Sequence, residues 1–182
     1  MSALSERGLG DDGDRAAPTT PWVPRTAKQR LEILRRTRTV AIVGMSQDPS
    51  RASYFVATYL RSSSCRFEKV WYVNPKGGEA FGEPFHRSLA DLPEAPDLVD
   101  VFRRADQLPS VAEEIIAVGG IRTMWAQLGL WSDEAAAIAH AAGLDVVMDR
   151  CLKIEHARFQ GGLHLAGFDT GVISSRRNGP LE

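Results

Sequence analysis

An apolar segment, Val40–Val43, runs into a glycine turn that is followed by hydroxyl and guanidinium side chains. A β-branched run that ends in glycine is typical of a buried parallel strand leading into a helix, whose free N–H groups bind anions. Gly44 is the only glycine of this turn, whereas the dinucleotide-binding fingerprint has three. Ser46 and Ser53 can donate to phosphate oxygens, and Arg51 can hold two of them. The segment predicts a cradle for a phosphate-rich nucleotide rather than a simple NAD site.

A second polar segment follows the next apolar run and begins with Asn74 and Pro75. NAD-binding units carry an acid near this position, which bonds the ribose 2′-hydroxyl. Here Lys76 is basic and favours an additional phosphate instead. NADP and coenzyme A (CoA) both carry such a phosphate, so the residues leave both ligands open.

Three later apolar runs also end in groups that can bind a ligand. The first is followed by an aromatic ring and two guanidinium groups, although a solvated arginine pair is the plain alternative. The second is followed by an amide and turn backbone that suit an extended polar arm, and the third by a guanidinium group beside a thiol. These residues are Phe102, Arg103 and Arg104, then Gln127, Leu128 and Gly129, and finally Arg150 and Cys151.

Cys151 lies just before a predicted helix. A helix N-terminus can lower the pKa of a thiol and make it reactive. The alternative is a small, partly buried thiol with no chemical role. The sequence leaves both open.

The elements that position these residues alternate between strands and helices. This alternation predicts a parallel sheet with helices on both faces. We therefore expect an α/β fold, a three-layer Rossmann-like doubly wound parallel sheet in a single domain. The predicted strands are 39–43, 69–73, 98–102, 122–125 and 144–148, and the predicted helices are 25–36, 53–61, 108–118 and 133–142. Residues 75–96 are rich in turn formers and predict a long connection with at most a short edge strand and one turn of helix.

Three segments are expected along the chain. Residues 1–24 lack periodicity and predict a flexible tail. Residues 25–160 form the predicted domain. Residues 161–182 are a C-terminal extension whose apolar side chains favour packing on the domain or on a dimer mate.

Composition excludes several classes of function. The net charge is −1, and the chain lacks the basic patch expected of a nucleic-acid-binding protein. No apolar run reaches the length of about 20 residues that spans a membrane. Two cysteines are too few for a disulfide framework, and the first residues do not resemble a signal peptide. We expect a cytoplasmic protein.

Taken in order, these segments resemble the small stand-alone CoA-binding proteins, whose fold is that of the CoA-binding domain in the α subunit of succinyl-CoA synthetase. The resemblance spans about residues 36–158. Each motif alone is a weak signal, but all six in this order are specific. The motifs are 40–46 with Pro49, Arg51 and Ser53; 72–75; Ser88-Leu89 with Leu92-Pro93; 99–104; 125–129; and 146–156.

The resemblance implies a Rossmann-like domain that binds CoA, with no established reaction for the stand-alone members. It assigns each group of residues to one part of the ligand. Gly44, Ser46, Arg51 and Ser53 would face the diphosphate, with Met45 in the same turn; Asn74, Pro75 and Lys76 would meet the adenosine and its 3′-phosphate; Phe102 and Arg103 would line the nucleotide crevice; Gln127, Leu128 and Gly129 would border the pantetheine arm; Arg150 and Cys151 would lie near its thiol end.

The expected function is therefore binding of CoA or acyl-CoA without catalysis. An NADP-dependent oxidoreductase is the first alternative, although the residues offer no plausible acid–base dyad beside a nicotinamide. A second alternative is thiol chemistry, in which Cys151 forms a mixed disulfide with CoA. No segment resembles the phosphohistidine domain of the synthetase, so ligase activity of this chain alone is not expected. A homodimer or an acyl-transfer partner fits the sequence equally well.

Overall fold

Five parallel strands form the central sheet of the computed structural model, which describes residues 20–62, 65 and 67–160. Two further short strands lie outside this sheet. In chain order all the described strands are β1 (Thr39–Val43), β2 (Lys69–Val73), β3 (Glu79–Ala80), β4 (Glu83–Pro84), β5 (Leu98–Val101), β6 (Thr123–Ala126) and β7 (Asp145–Val147). The sheet order is β2-β1-β5-β6-β7, and β3 pairs only with β4, in an antiparallel hairpin. The carboxyl ends of β2, β1 and β5 are level, because Val43 pairs with both Val73 and Val101.

The direction of winding reverses between β1 and β5, because the chain moves outward from β1 to β2 and then returns to β5. Beyond β2, a single parallel bridge joins Val73 to His86 and stands where a further edge strand would begin. The 75–96 connection contains one 3₁₀ turn, Leu89–Asp91, as predicted, but two short strands rather than one. In a doubly wound sheet, the reversal is the point at which ligands bind.

Helices cover both faces of the sheet, so the predicted three-layer α/β fold is confirmed. The helices are α1 (Ala27–Arg36), α2 (Ala52–Leu60), α3 (Leu108–Val118), α4 (Asp133–Ala141) and α5 (Leu152–Gln160). Alternate residues of β1 face opposite layers: Val40 and Ile42 pack with α1, α2 and α5, whereas Ala41 and Val43 pack with α3 and α4. This period of two is the pattern of a sheet that is buried on both sides.

Helix α5 is fixed to the layer that it shares with α1 and α2. The Arg30 guanidinium of α1 donates to the Glu155 carboxylate at 2.8 Å, and both side chains are largely buried. The Tyr59 hydroxyl of α2 lies 3.1 Å from Nδ1 of His156. Because residues 155 and 156 are held from two sides, the first turn of α5 has a defined position above the sheet.

The last residues of the predicted tail lie against the domain. Trp22 donates its indole N–H to the carbonyl of Val146 at 3.3 Å, and its ring lies edge-on to Trp131 at 5.4 Å. The predicted flexible tail, residues 1–24, includes Trp22, which the structure instead places against the domain. Residues 1–19 and the predicted C-terminal extension, 161–182, lie outside the described residues.

None of the described helices is both long enough and apolar enough to cross a membrane.

Candidate functional site

A cleft of about 580 Å³ opens above the carboxyl ends of β5 and β6, between the first turns of α2 and α5. Its size is that of a small-molecule or cofactor site. The lining residues are Ala52, Phe55, Val56, Phe102, Arg103, Arg104, Gln127, Leu128, Leu130, Cys151, Lys153 and Ile154. Five of the predicted site residues are among them: Phe102, Arg103, Gln127, Leu128 and Cys151.

Gly44 directly follows β1, beside the cleft. Its φ is +87°, a backbone conformation that residues with a side chain rarely adopt. A Cβ atom at this position would overlap the carbonyl oxygen of Phe102 and lie 2.9 Å from its carbonyl carbon. Glycine is therefore required for the ends of β1 and β5 to approach each other. This approach brings Phe102 and Arg103 to the reversal point.

Two serines organise the turn after Gly44. The Ser53 hydroxyl, which is buried in the first turn of α2, accepts a hydrogen bond from the backbone N–H of Ser46 at 3.1 Å. The Ser46 hydroxyl accepts from the N–H of Asp48 at 3.1 Å. Both oxygens that the sequence assigned to phosphate thus also shape the loop that would hold it.

Arg51 precedes α2 and is exposed, with its Nε 3.8 Å from the Asp48 carboxylate. No described side chain caps the N-terminus of α2. Its first residue, Ala52, lines the cleft. An anion at this end of the cleft would therefore meet both the helix N-terminus and an exposed cation.

Asn74 links the turn after β1 to the turn after β2. Its Nδ2 donates to the carbonyl of Met45 at 2.8 Å, and its Oδ1 accepts from the N–H of Lys76 at 3.0 Å. The Met45 side chain is fully buried in the core, and its N–H donates to the carbonyl of Val73. The structure gives these two predicted site residues a role in holding the turns together.

The predicted adenosine-binding segment lies outside the main cleft. Pro75 lines a smaller pocket of about 120 Å³ together with Arg87 and Arg103, and Lys76 is exposed beside it. Arg87 donates to the Pro75 carbonyl at 3.1 Å. Arg103 lines both the small pocket and the main cleft. The small pocket and the main cleft therefore adjoin at the Arg103 guanidinium.

A buried carboxyl group, missed by the sequence analysis, lies behind the cleft. Asp100 of β5 is fully buried and accepts from Nε2 of Gln127 at 2.6 Å. Its other oxygen, Oδ2, has no hydrogen-bond partner among the described residues. Burial raises the pKa of Asp100 to about 8. The side chain is thus mostly a neutral acid at pH 7, and it holds the amide of Gln127 at the cleft wall.

The residues after β6 and β7 divide between two places. The N–H of Gly129 donates to the Asp149 carboxylate at 2.7 Å, which ties the two loops together. Arg150 lines a separate pocket of about 140 Å³ and not the main cleft. Cys151 lines the main cleft, and burial raises the pKa of its thiol, against the lowered pKa that a helix N-terminus alone would give.

Other residues of the cleft wall were not selected from the sequence. Phe55 lies on the solvent side of α2, away from its buried residues Val56 and Leu60. Lys153 lies with its ammonium nitrogen 3.6 Å from the centre of the Phe55 ring. An aromatic residue off the buried face of an amphipathic helix was the one local signal that could have identified this wall.

Comparison with known proteins identifies the family of the chain. The chain matches the model of the CoA binding domain over residues 38–157. The uncharacterized protein YneT of Bacillus subtilis (strain 168) is 38% identical over 126 residues, which cover 69% of this chain and 90% of that protein.

Solved structures share the fold. A hypothetical protein from Pyrococcus horikoshii OT3 superposes with a TM-score of 0.70 at 33% identity, over 79% of this chain and 99% of that one. The dinucleotide-forming acetyl-coenzyme A synthetase 1 of Ca. Korarchaeum cryptofilum, at 24% identity and a TM-score of 0.53, shares the fold over 64% of this chain and 27% of that one. Because the family model covers more than half of the 182 residues, this chain belongs to the CoA binding domain family, as its motifs indicated.

Proposed function

We propose that this protein binds coenzyme A at the carboxyl edge of its sheet, with the pantetheine arm in the main cleft. The observation that carries the proposal is the position of that cleft. It opens beside the Gly44 turn and the uncapped N-terminus of α2, at the reversal point where doubly wound sheets bind their ligands. Membership of the CoA binding domain family supports CoA as the nucleotide that binds there.

The charge of the cleft supports an anionic ligand. Arg103, Arg104 and Lys153 line it, and none of the described lining residues is a carboxylate. Arg104 forms an ion pair with Asp106, whereas Arg103 forms none with a described residue. Arg103 is therefore available to a phosphate, and an Arg–phosphate contact is among the stronger charged hydrogen bonds.

The parts of CoA can be assigned along the edge of the sheet. The diphosphate meets the Gly44 turn, Arg51 and the first turn of α2. The adenosine and its 3′-phosphate lie near Pro75 and Lys76, where Arg87 adds a second cation. The pantetheine arm then passes Arg103 into the cleft and ends near Cys151.

Binding without catalysis fits the ionisable groups of the cleft better than the alternatives. Because burial raises the pKa of Cys151, its thiol is largely protonated at neutral pH, which disfavours disulfide exchange with CoA. Tyr72 and Lys76 are four residues apart, but Tyr72 is buried on β2 and Lys76 follows in a turn, so they do not share a helix face as an acid–base pair. No observation favours hydride transfer.

Lys76 and the 3′-phosphate test this assignment. We expect Lys76→Ala to weaken CoA binding by about 1.5–3 kcal/mol, the value of a hydrogen bond to a charged group. Binding of 3′-dephospho-CoA should be weakened much less, because the group that Lys76 contacts is missing. Isothermal titration calorimetry with both ligands measures the two losses.

The matched control is Lys28→Ala, which removes an exposed lysine from α1, away from the cleft. It should leave both affinities unchanged. Equal losses for CoA and 3′-dephospho-CoA in Lys76→Ala would remove Lys76 from the 3′-phosphate site. Absence of CoA binding by the unmodified protein would refute the proposed function.

A further inference from the structure

The main cleft has an apolar wall formed by three side chains from three separate elements. Phe55 of α2 is 60% exposed, Leu128 after β6 is 65% exposed and Ile154 of α5 is 49% exposed. All three line the cleft. Only three other large apolar side chains of the described residues are comparably exposed, namely Val23, Ile116 and Trp131. Exposed apolar surface gathered in a concave site is characteristic of a ligand with an apolar part.

In the proposed placement of CoA, this wall contacts the group that is attached to the CoA sulfur. The nucleotide lies at the Pro75 pocket, and the diphosphate lies at the Gly44 turn and the adjoining end of the main cleft. The rest of the cleft, whose whole volume is about 580 Å³, then receives the arm and its sulfur substituent. The arm is polar along its amide bonds, which match Gln127, whereas Phe55, Leu128 and Ile154 offer no hydrogen-bonding side chain.

The cations that line the cleft are already engaged, which favours an uncharged substituent: Arg104 pairs with Asp106, and Arg103 is assigned to a phosphate in the proposed placement. The ammonium group of Lys153 lies 3.6 Å from the Phe55 ring centre and 5.8 Å from that of Tyr59, so it is already stabilised by two aromatic faces. Cys151 and the buried Asp100 behind Gln127 are both mostly neutral at pH 7. A terminal carboxylate on the ligand would have to draw Lys153 from these rings or compete with the partners of the two arginines.

We infer that the cleft binds CoA thioesters with short apolar acyl groups in preference to free CoA, the acyl chain lying against Phe55, Leu128 and Ile154. This inference rests on the proposed function and specifies its ligand class. The acyl chain replaces water on the three side chains, and each methylene group that it buries adds to the affinity.

Calorimetric titrations with CoA, butyryl-CoA and succinyl-CoA test it, because the last two carry four-carbon acyl groups that differ in a terminal methyl or carboxylate. Butyryl-CoA should bind about tenfold more tightly than CoA and more tightly than succinyl-CoA. Equal affinities for CoA and butyryl-CoA, or tighter binding of succinyl-CoA, would overturn the inference while leaving the proposed function intact. Failure of all three to bind would instead overturn the proposed function and this inference with it.

A matched pair of variants tests the location. Ile154→Ser removes an exposed isoleucine from the wall, and Ile116→Ser removes one that is 39% exposed on α3, in the opposite layer. Ile154→Ser should reduce the ratio of butyryl-CoA to CoA affinity by at least threefold, and Ile116→Ser should leave that ratio unchanged. An unchanged ratio in Ile154→Ser, with the folded state verified by circular dichroism, would place the acyl chain elsewhere and refute the assignment.

Discussion

The candidate site has a turn side, formed by the loops after β1 and β2, and a wall side, formed by the apolar wall of the main cleft. The two sides are built in opposite ways. On the turn side, the polar groups are hydrogen-bonded to one another: Ser53 accepts from Ser46, and Asn74 donates to Met45. On the wall side, Phe55, Leu128 and Ile154 keep about half or more of their surface exposed, although Lys153 lies over the Phe55 ring. The turn side therefore has its shape before a ligand arrives, whereas the wall side gains most of its burial from the ligand.

The turn side therefore determines where the ligand lies, and the wall side determines which CoA derivative binds more tightly. A turn that is held rigid fixes where phosphates lie and loses little entropy when they bind. An apolar wall adds affinity in proportion to the surface that it buries. Changes on the turn side should thus affect both folding and all CoA binding, and changes on the wall side should affect binding more selectively.

The largest effect should come from Gly44→Ala. The new Cβ overlaps the carbonyl of Phe102, and the φ of +87° is strained for alanine, so we expect a loss of about 3 kcal/mol in the free energy of unfolding. CoA binding should be lost as well, because β1 and β5 can no longer approach. Urea unfolding and calorimetry measure the two effects.

Gly82→Ala is the matched control for this variant. Gly82 has a φ of +76°, but a Cβ atom there meets no atom within 4 Å. Its cost should be only the backbone strain, about 1 kcal/mol. If Gly44→Ala is no less stable than Gly82→Ala, the close approach of β1 and β5 does not govern the site.

An intermediate effect should come from Asp100→Asn, which changes the buried group that holds the Gln127 amide at the cleft. Folding holds Asp100 neutral up to about pH 8, whereas the unfolded chain ionises it from about pH 4, near its ordinary pKa of 3.8. The unfolded state therefore binds fewer protons in this window, and the stability due to Asp100 falls as the pH rises.

Asn cannot ionise, so the stability of wild type minus that of Asp100→Asn should fall between pH 4 and pH 8 and then level off. Urea unfolding at pH 5, 7 and 8.5 measures the difference. Asp106→Asn, which removes an exposed carboxylate, controls for a general effect of losing an acid. A difference that is constant with pH would show that Asp100 is not held neutral.

The smallest effect should come from Cys151→Ser on the wall side. Because the thiol is neutral and the proposed complex is non-covalent, CoA affinity should change by less than about 0.5 kcal/mol. Cys65→Ser, at a thiol that donates to the carbonyl of Tyr59 rather than lining the cleft, is the control. A loss of CoA in Cys151→Ser but not in Cys65→Ser would favour the disulfide alternative.

The sequence predicted the turn side better than the wall side because the turn is local. Gly44, Ser46 and Ser53 follow one strand, so a single spacing pattern brings them together. Phe55 and Ile154 lie on different helices, and only the packing of α2 against α5 makes them neighbours. Arg150 and Cys151 are the reverse case: they are adjacent in sequence, but they line different pockets.

The buried acid illustrates a second limit. Asp100 lies in an apolar strand with no local mark of burial or of its raised pKa. Its partner, Gln127, is 27 residues away, and the pairing exists only because β5 and β6 are neighbours in the sheet. Strand order, rather than any motif, produces this contact.

Native mass spectrometry of the purified protein, before and after addition of CoA, tests the central claim most directly. The account predicts a single added mass of CoA or an acyl-CoA that is retained under native conditions and lost on denaturation without reductant. A protein that gains no such mass even with excess CoA, or that gains NADP instead, would contradict it. An added CoA that survives denaturation and leaves only with reductant would replace binding with disulfide chemistry at a cysteine.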